Sequence, residues 1–227
     1  MAPASPTPDV ADARGFSLVR DPEGRLALHA PHHPRMGDVV ADWLGQEQRR
    51  RIAGGKKQLL ARAVGIGKRK PLRILDATGG LGRDAQLMAH LGADVTVCER
   101  QPLIFALLKD AWDRLELHDG GCATRLQLRP TDARAVLGGT EEWDVIYLDP
   151  MYPSRDKSAL PSKEMQFFRE LTGGDADADA LLTLACQKAR WRVVVKRPLS
   201  AQPLAGRAPS QSLRGTQARF DLYLSSP

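Results

Sequence analysis

Two short segments of this sequence carry residue types that could do chemistry together. The first is Asp149-Pro150-Met151-Tyr152, which follows the apolar run Val145-Ile146-Tyr147-Leu148. In an open α/β sheet, functional groups lie beyond the carboxyl ends of the strands. An exocyclic amine on a nucleobase is a poor nucleophile, because its lone pair is delocalised into the ring. Two acceptors for its N–H groups would localise that pair. Asp149 can supply a carboxylate and Pro150 a backbone carbonyl, and proline has no N–H of its own to interfere. Tyr152 offers a face for a base to stack on, worth about 1–3 kcal/mol in nucleic-acid complexes. Asp-Pro turns are common, so this reading depends on what stands beside the motif.

The second segment is Asp76-Ala77-Thr78-Gly79-Gly80-Leu81-Gly82-Arg83-Asp84. It lies between a short apolar run, Leu72 to Leu75, and a helical pattern, Ala85 to Leu91. Glycines in such a turn let the backbone approach a ligand and expose amide N–H groups at a helix N-terminus. Gly80 to Ala85 fits G-x-G-x-x-[GA], which a dinucleotide-binding enzyme would also show. Asp76 can tie down the loop amides or face a ligand amino group, and it can do both. Glu99 ends the next strand and can accept from ribose hydroxyls. NAD and S-adenosylmethionine both carry a ribose, so Glu99 does not choose between them. Thr131-Asp132 follows the third strand, where an acid could accept from an adenine amino group. The Asp149 segment makes the choice, since hydride transfer has no evident need of an all-acceptor cradle.

The elements that must position these groups are legible from periodicity. Strands are expected at Arg73–Ala77, Asp94–Glu99, Arg125–Leu128, Trp143–Leu148, Trp191–Lys196 and Arg219–Leu224. Helices are expected at Arg83–Leu91, Pro102–Leu117, Asp132–Leu137 and Leu181–Ala189. Short β-rich runs separated by helical runs indicate a parallel sheet of the α/β class. Before them, Leu18–Arg20 and Leu26–Leu28 flank Asp21-Pro22-Glu23-Gly24 and read as a hairpin. Val39–Leu44 reads as a short apolar helical piece and Lys56–Val64 as a helix ending at Gly65. The expected organisation is an N-terminal appendage over residues 1–70 and a catalytic domain over 71–227. Met1 to Asp12, rich in Pro and Ala, reads as a disordered tail without the features of a signal peptide.

Composition sets outer bounds. The chain has 227 residues, a hydrophobic content of 42% and a formal net charge of +6. No apolar run approaches the ~18 residues needed to span a bilayer. Cys98, Cys122 and Cys186 are scattered and read as reduced thiols, which predicts a cytoplasmic protein. His32-His33, flanked by Pro31 and Pro34, has no metal-site spacing, so no metal is expected. The basic residues are unevenly placed. From Gln48 to Arg73 there are ten of them and no acid, which favours a polyanionic partner. Arg155, Lys157, Lys163, Arg169 and Arg197 could add phosphate contacts near Asp149.

DATGGLGRDA, VCER, VIYLDPMYPSRDKSALPSKEM, VVVKRP and RFDLY together resemble the ribosomal RNA small subunit methyltransferase J family. DWLG and LARAVGI extend the likeness into the N-terminal part, from about Leu18 to Leu224. The resemblance implies a class I, Rossmann-like methyltransferase. Its sheet would be mostly parallel and seven-stranded, with the last strand inserted antiparallel. It implies S-adenosylmethionine as cofactor and the N2 amine of one guanine in 16S rRNA as substrate. Arg83, Asp84, Glu99, Arg100, Thr131, Asp132 and Asp149 would contact the cofactor or line its pocket, with Asp76, Gly80 and Gly82 beside them. Asp149, Pro150 and Tyr152 would form the catalytic set. The residues themselves leave a DNA adenine or protein glutamine open as the methylated amine, and RNA over DNA rests on the resemblance. A nicotinamide-dependent oxidoreductase is the rival from another class.

Overall fold

Alternating apolar residues on either side of a four-residue turn start the folded chain. β1 (Ser17–Arg20) and β2 (Leu26–His29) pair antiparallel, and Gly24 donates its N–H to the Asp21 carbonyl at 2.8 Å to close the turn. The computed structural model describes residues 14–68, 71–151, 162–174 and 177–225. The expected tail, as well as Tyr152, Arg155 and Lys157, lies outside these residues.

The next segment departs from expectation. Val39–Leu44 is not helical. Its first two residues form β3 (Val39–Val40), which pairs antiparallel with β2. Adjacent β-branched side chains are stiff at χ1 and favour extended backbone. Trp43 then turns inward, fully buried, and donates its indole N–H to the Leu81 carbonyl at 2.6 Å. α1 (Gln46–Ala53) was not foreseen in the basic stretch. A 3-10 turn (Gly55–Lys57) and α2 (Leu59–Val64) follow. The helix expected from Lys56 is regular only from Leu59, because Gln58 is extended at its N-cap.

The remaining elements alternate. They are β4 (Arg73–Asp76), α3 (Arg83–His90), β5 (Asp94–Cys98), α4 (Pro102–His118), α5 (Gly120–Ala123), β6 (Leu126–Arg129), α6 (Ala133–Leu137) and β7 (Trp143–Leu148). Then come α7 (Lys163–Thr172), α8 (Ala178–Lys188), β8 (Ala189–Pro198), β9 (Gln211–Arg214) and β10 (Ala218–Leu224). Local signals explain several starts. Pro102 occupies the first turn of α4, where its missing N–H costs nothing, and the Gln101 side chain caps Leu103 and Ile104. Asp132 caps α6 by accepting from the Arg134 N–H.

The main sheet has seven strands in the order β6-β5-β4-β7-β8-β10-β9. β6 to β8 run parallel, while β10 inserts antiparallel between β8 and β9. This is the mostly parallel α/β sheet with an antiparallel closing strand. β9, an exposed polar edge strand, carries too little hydrophobic signal to have been foreseen. Strand alternation divides the core into two faces. Ile74, Val145 and Val194 face one apolar layer, and Leu75, Ile146, Val193 and Val195 face the other. Phe16, Leu28 and Trp43 join the first layer, so the N-terminal sheet shares a core with the main one. The strand order reverses at β4 and β7, where a crevice opens at their carboxyl ends. No helix among the described residues is long and apolar enough to cross a membrane.

Candidate active site

A cavity of about 710 Å³ occupies that crevice, a size typical of cofactor sites. Asp76, Gly80, Gly82, Arg83, Asp84, Glu99, Arg100, Thr131, Asp132, Asp149 and Pro150 all line it. The chain thus brings together every described residue that the sequence assigned to cofactor binding or catalysis.

The glycine turn is built by steric necessity. Gly79 donates its N–H to the Cys98 carbonyl at 2.9 Å, and a Cβ there would sit 2.9 Å from that oxygen and 2.7 Å from a Val97 methyl. The turn is therefore pressed against β5. Gly82 begins α3 in the left-handed region, with φ 69°, and a Cβ would run into Trp43 and Leu108 at 2.5 and 2.4 Å.

The carboxylates do more local work than their positions suggest. Asp76 is buried and accepts from the Thr78 N–H at 3.1 Å. Burial, followed by repulsion from Asp84, Asp149 and Glu99, pushes its pKa up to about 8 against the single opposing Thr78 bond. Glu99 accepts from the Gly80 N–H at 2.8 Å with one oxygen and from the Gln101 N–H at 2.7 Å with the other. It fastens the glycine turn to the start of α4 while lining the cavity. Arg83 forms a two-pronged pair with Glu164 of α7, at 2.6 and 2.8 Å. Arg100 pairs with Asp177 and Asp132, and Asp132 also binds Arg134. Asp132 is held down at about 2, chiefly by the Arg134 side-chain bond. Arg83, Arg100 and Asp132 thus shape the wall through ion pairs.

Asp84 and Asp149 form the charged centre. Tyr147 donates its hydroxyl to Asp84 at 2.6 Å, Arg51 of α1 pairs with the same carboxylate, and Lys196 of β8 reaches it at 3.1 Å. Lys196 also donates to Asp149 Oδ2 at 2.7 Å. Burial would raise Asp84, but Lys196, Arg51 and the Tyr147 bond together hold it at about 2. Asp149 goes the other way. Burial and the neighbouring Asp84 charge raise it, with Lys196 opposing. Its side chain stays 38% exposed through the cavity, so cavity water moderates the effect of burial. The Thr78 hydroxyl accepts the Asp149 backbone N–H at 2.6 Å, joining the glycine turn to the Asp-Pro motif. Oδ1 of Asp149 has no hydrogen-bond partner among the described residues.

Sequence reasoning missed several of these groups. Lys196 directly follows the buried run Val193-Val194-Val195 in β8, a signal that could have been used. Arg51 looked like one cation in a basic run, and only α1 shows that it turns inward. Two expected phosphate contacts are corrected. Arg197 is buried and donates to the Gln202 carbonyl, and Lys163 donates to the Asp38 carbonyl at 2.6 Å. Lys163 is a tether to the N-terminal sheet and Arg197 part of the sheet's interior. Away from the cavity, His32 and His33 donate to the two oxygens of Glu170 at 2.7 and 2.8 Å, clasping α7 to the same N-terminal loop.

A family model for SAM-dependent methyltransferases matches residues 8–225 of this chain. A ribosomal RNA small subunit methyltransferase J from Coxiella burnetii (strain Dugway 5J108-111) is 44% identical over 215 residues, covering 93% of this chain and 84% of its own length. The Shewanella oneidensis protein of the same name is 42% identical over 224 residues, covering 96% and 90%. A SAM-dependent methyltransferase from Neisseria gonorrhoeae, solved by crystallography, superposes with a TM-score of 0.71 at 31% identity, over 95% of this chain and 85% of that one.

Proposed function

The chain belongs to the ribosomal RNA small subunit methyltransferase J family of SAM-dependent methyltransferases, and from that premise we propose that it methylates the exocyclic N2 amine of a guanosine in 16S rRNA. The observation that carries this reading is the Asp149 carboxylate at the end of β7. One of its oxygens is fixed by Lys196 and the other is left to the cavity, beside the buried Pro150.

The residues present suit the cofactor. A glycine turn too close-packed for a side chain, a buried acid at Asp76 and a strand-end acid at Glu99 line one cavity. Asp76 would face the methionine ammonium and Glu99 the ribose hydroxyls. The Gly80 and Gly82 backbone would cradle the methionine end, and Thr131 and Asp132 would border the adenine. Arg83 and Arg100 would hold the walls through Glu164 and Asp177. When bound, S-adenosylmethionine supplies an activated sulfonium methyl group, so the protein's task is placement of the amine.

Asp149 Oδ1 and the Pro150 carbonyl accept the two N–H groups of that amine and direct its lone pair into the cavity. Tyr152 is assigned the stacking role; it lies outside the described residues. Residues 1–70 are assigned to an appendage, whose Arg51 and Glu47 line the cavity, and residues 71–227 to the domain that holds the chemistry. If the guanine lies in a helix, it must first be unstacked, at a cost of a few kcal/mol. An RNA substrate places the enzyme in the cytoplasm, and no metal enters the scheme.

The test is labelled methyl transfer to small ribosomal subunits and to their extracted RNA, followed by digestion to nucleosides. The reading requires label in N2-methylguanosine. Label in another nucleoside, in DNA or in protein, or no transfer, would overturn it.

A further inference from the structure

The ten cations between Gln48 and Arg73 do not all serve the cavity. α1 divides them by helical phase. Glu47 and Arg51, four residues apart, line the cavity, while Gln48 is buried and donates to the Arg83 carbonyl at 2.7 Å and to Gln86 at 2.6 Å. The remaining stripe, Gln46, Arg49, Arg50 and Ala53, is exposed, at the spacing expected for one helix face. Exposed Lys56 and Lys57 continue it through the glycine turn, and Arg62 and Lys68 extend it over α2 and beyond.

These six cations share a second property. None of Arg49, Arg50, Lys56, Lys57, Arg62 and Lys68 has an ion-pair partner among the described residues. Several arginines elsewhere on the surface are paired: Arg20 with Asp110, Arg25 with Asp21, Arg125 with Asp94, Arg129 with Glu141 and Arg190 with Glu142. An acid-free basic face raises the self-repulsion of the folded state. A polyanion laid across it would relieve that repulsion and release its own counterions. The face is also firmly placed. Gln48 and Arg51 pin α1 to α3, so the outer stripe keeps a fixed position relative to the cavity mouth.

We infer that the outer face of α1, the Gly54-Gly55 turn and α2 is the docking surface for the phosphate backbone of the RNA flanking the target base. This rests on the RNA reading above and adds where the chain grips its substrate. RNA is favoured over an acidic protein because the same helix, α1, lines a cavity assigned to a nucleobase through Arg51 and carries exposed Arg49 and Arg50. The face also carries few apolar anchors of the kind that protein interfaces need. Contacts of this kind position the substrate and carry no sequence information, which is left to the cavity.

The test compares the full-length wild type with a variant carrying Arg49→Gln, Arg50→Gln, Lys56→Gln and Lys57→Gln. A control variant removes two paired cations, Arg125→Gln and Arg190→Gln. Equilibrium binding to small-subunit rRNA is measured over a series of salt concentrations, with cofactor binding alongside. Each phosphate contact contributes a slope of about 0.7–0.9 in log affinity against log salt. The fourfold variant should lose about 2–4 from that slope and bind at least tenfold more weakly near 0.1 M salt, with cofactor affinity unchanged. The control should keep the wild-type slope. Equal slopes for wild type and fourfold variant, or equal losses in both variants, would overturn the docking surface. A wild type that binds rRNA through this face yet transfers no methyl would instead overturn the reaction and leave the surface standing. Preference for an acidic protein over rRNA would overturn the choice of partner.

Discussion

The Lys196 ammonium, on β8, lies 2.7 Å from Asp149 Oδ2 at the end of β7. It also reaches Asp84 at 3.1 Å, so one cation joins two carboxylates across the cavity floor. Burial alone would lower the Lys196 pKa, but the two acids outweigh it and raise it. Lys196 is therefore charged throughout the neutral range. It fixes the rotamer of Asp149 and opposes protonation of a carboxylate that must be ionised to accept from an amine.

Lys196→Met should move the acid limb of methyl transfer. Among the described residues, the charged and titratable groups around Asp149 are Asp84, Arg51, Tyr147, Asp76 and Lys196. Burial and Asp84 raise Asp149, and Lys196 and Arg51 lower it. Without Lys196 the pKa of Asp149 rises further, so the rate should begin to climb only at higher pH. Lys196→Arg should keep the limb near its wild-type position. Single-turnover rates against pH decide this. A uniform loss of rate with an unmoved limb would make Lys196 a structural residue only.

Asp76 should show a trade between stability and binding. Its carboxyl is raised from the ordinary 3.8 to about 8 in the folded chain. Between those values the folded state holds a proton that the unfolded state has lost, so this group's contribution to stability falls as pH rises and levels off above about 8. Asp76→Asn keeps an acceptor for the Thr78 N–H and removes the ionisable group. It should raise the cofactor-free melting midpoint at pH 8 by a few degrees, more than at pH 5. It should also weaken cofactor binding at least tenfold. Thermal melts at both pH values and calorimetric titration check the two halves.

Gly82→Ala should damage both fold and site. The new Cβ would meet Trp43 and Leu108 at 2.5 and 2.4 Å, at a φ of 69° that side chains avoid. Overpacking and left-handed strain together predict a loss of about 2–4 kcal/mol, read by urea denaturation. Gly92→Ala also carries a positive φ, 101°, but has open space around it. It should cost less, and a reversed ranking would contradict the account of the glycine turn.

How much of this was readable in sequence follows the physics of each element. β4, β5, β7 and β8 announced themselves because each carries a buried apolar run, and α4 because Pro102 opens a long helical run. β3 was misread because a four- to six-residue apolar run fits a buried helix turn as well as a strand. Its pairing with β2 is a tertiary fact. The cavity residues were found because they belong to local motifs, such as the glycine turn and Asp149-Pro150. Arg51, Lys196 and Glu164 were missed because each reaches the site from a distant segment. The carboxylates also have structural duties. Glu99 fastens a turn, and Asp132 caps a helix. Such duties follow from hydrogen-bond partners that no spacing rule supplies.

The central claim is that the Asp149 carboxylate orients the amine that receives the methyl group. The most direct measurement is single-turnover methyl transfer to small ribosomal subunits by Asp149→Ala, with cofactor affinity measured on the same preparation. The account predicts that N2-methylguanosine formation falls by at least a factor of about 10² while cofactor binding stays measurable. Transfer at the wild-type rate by that variant would contradict it.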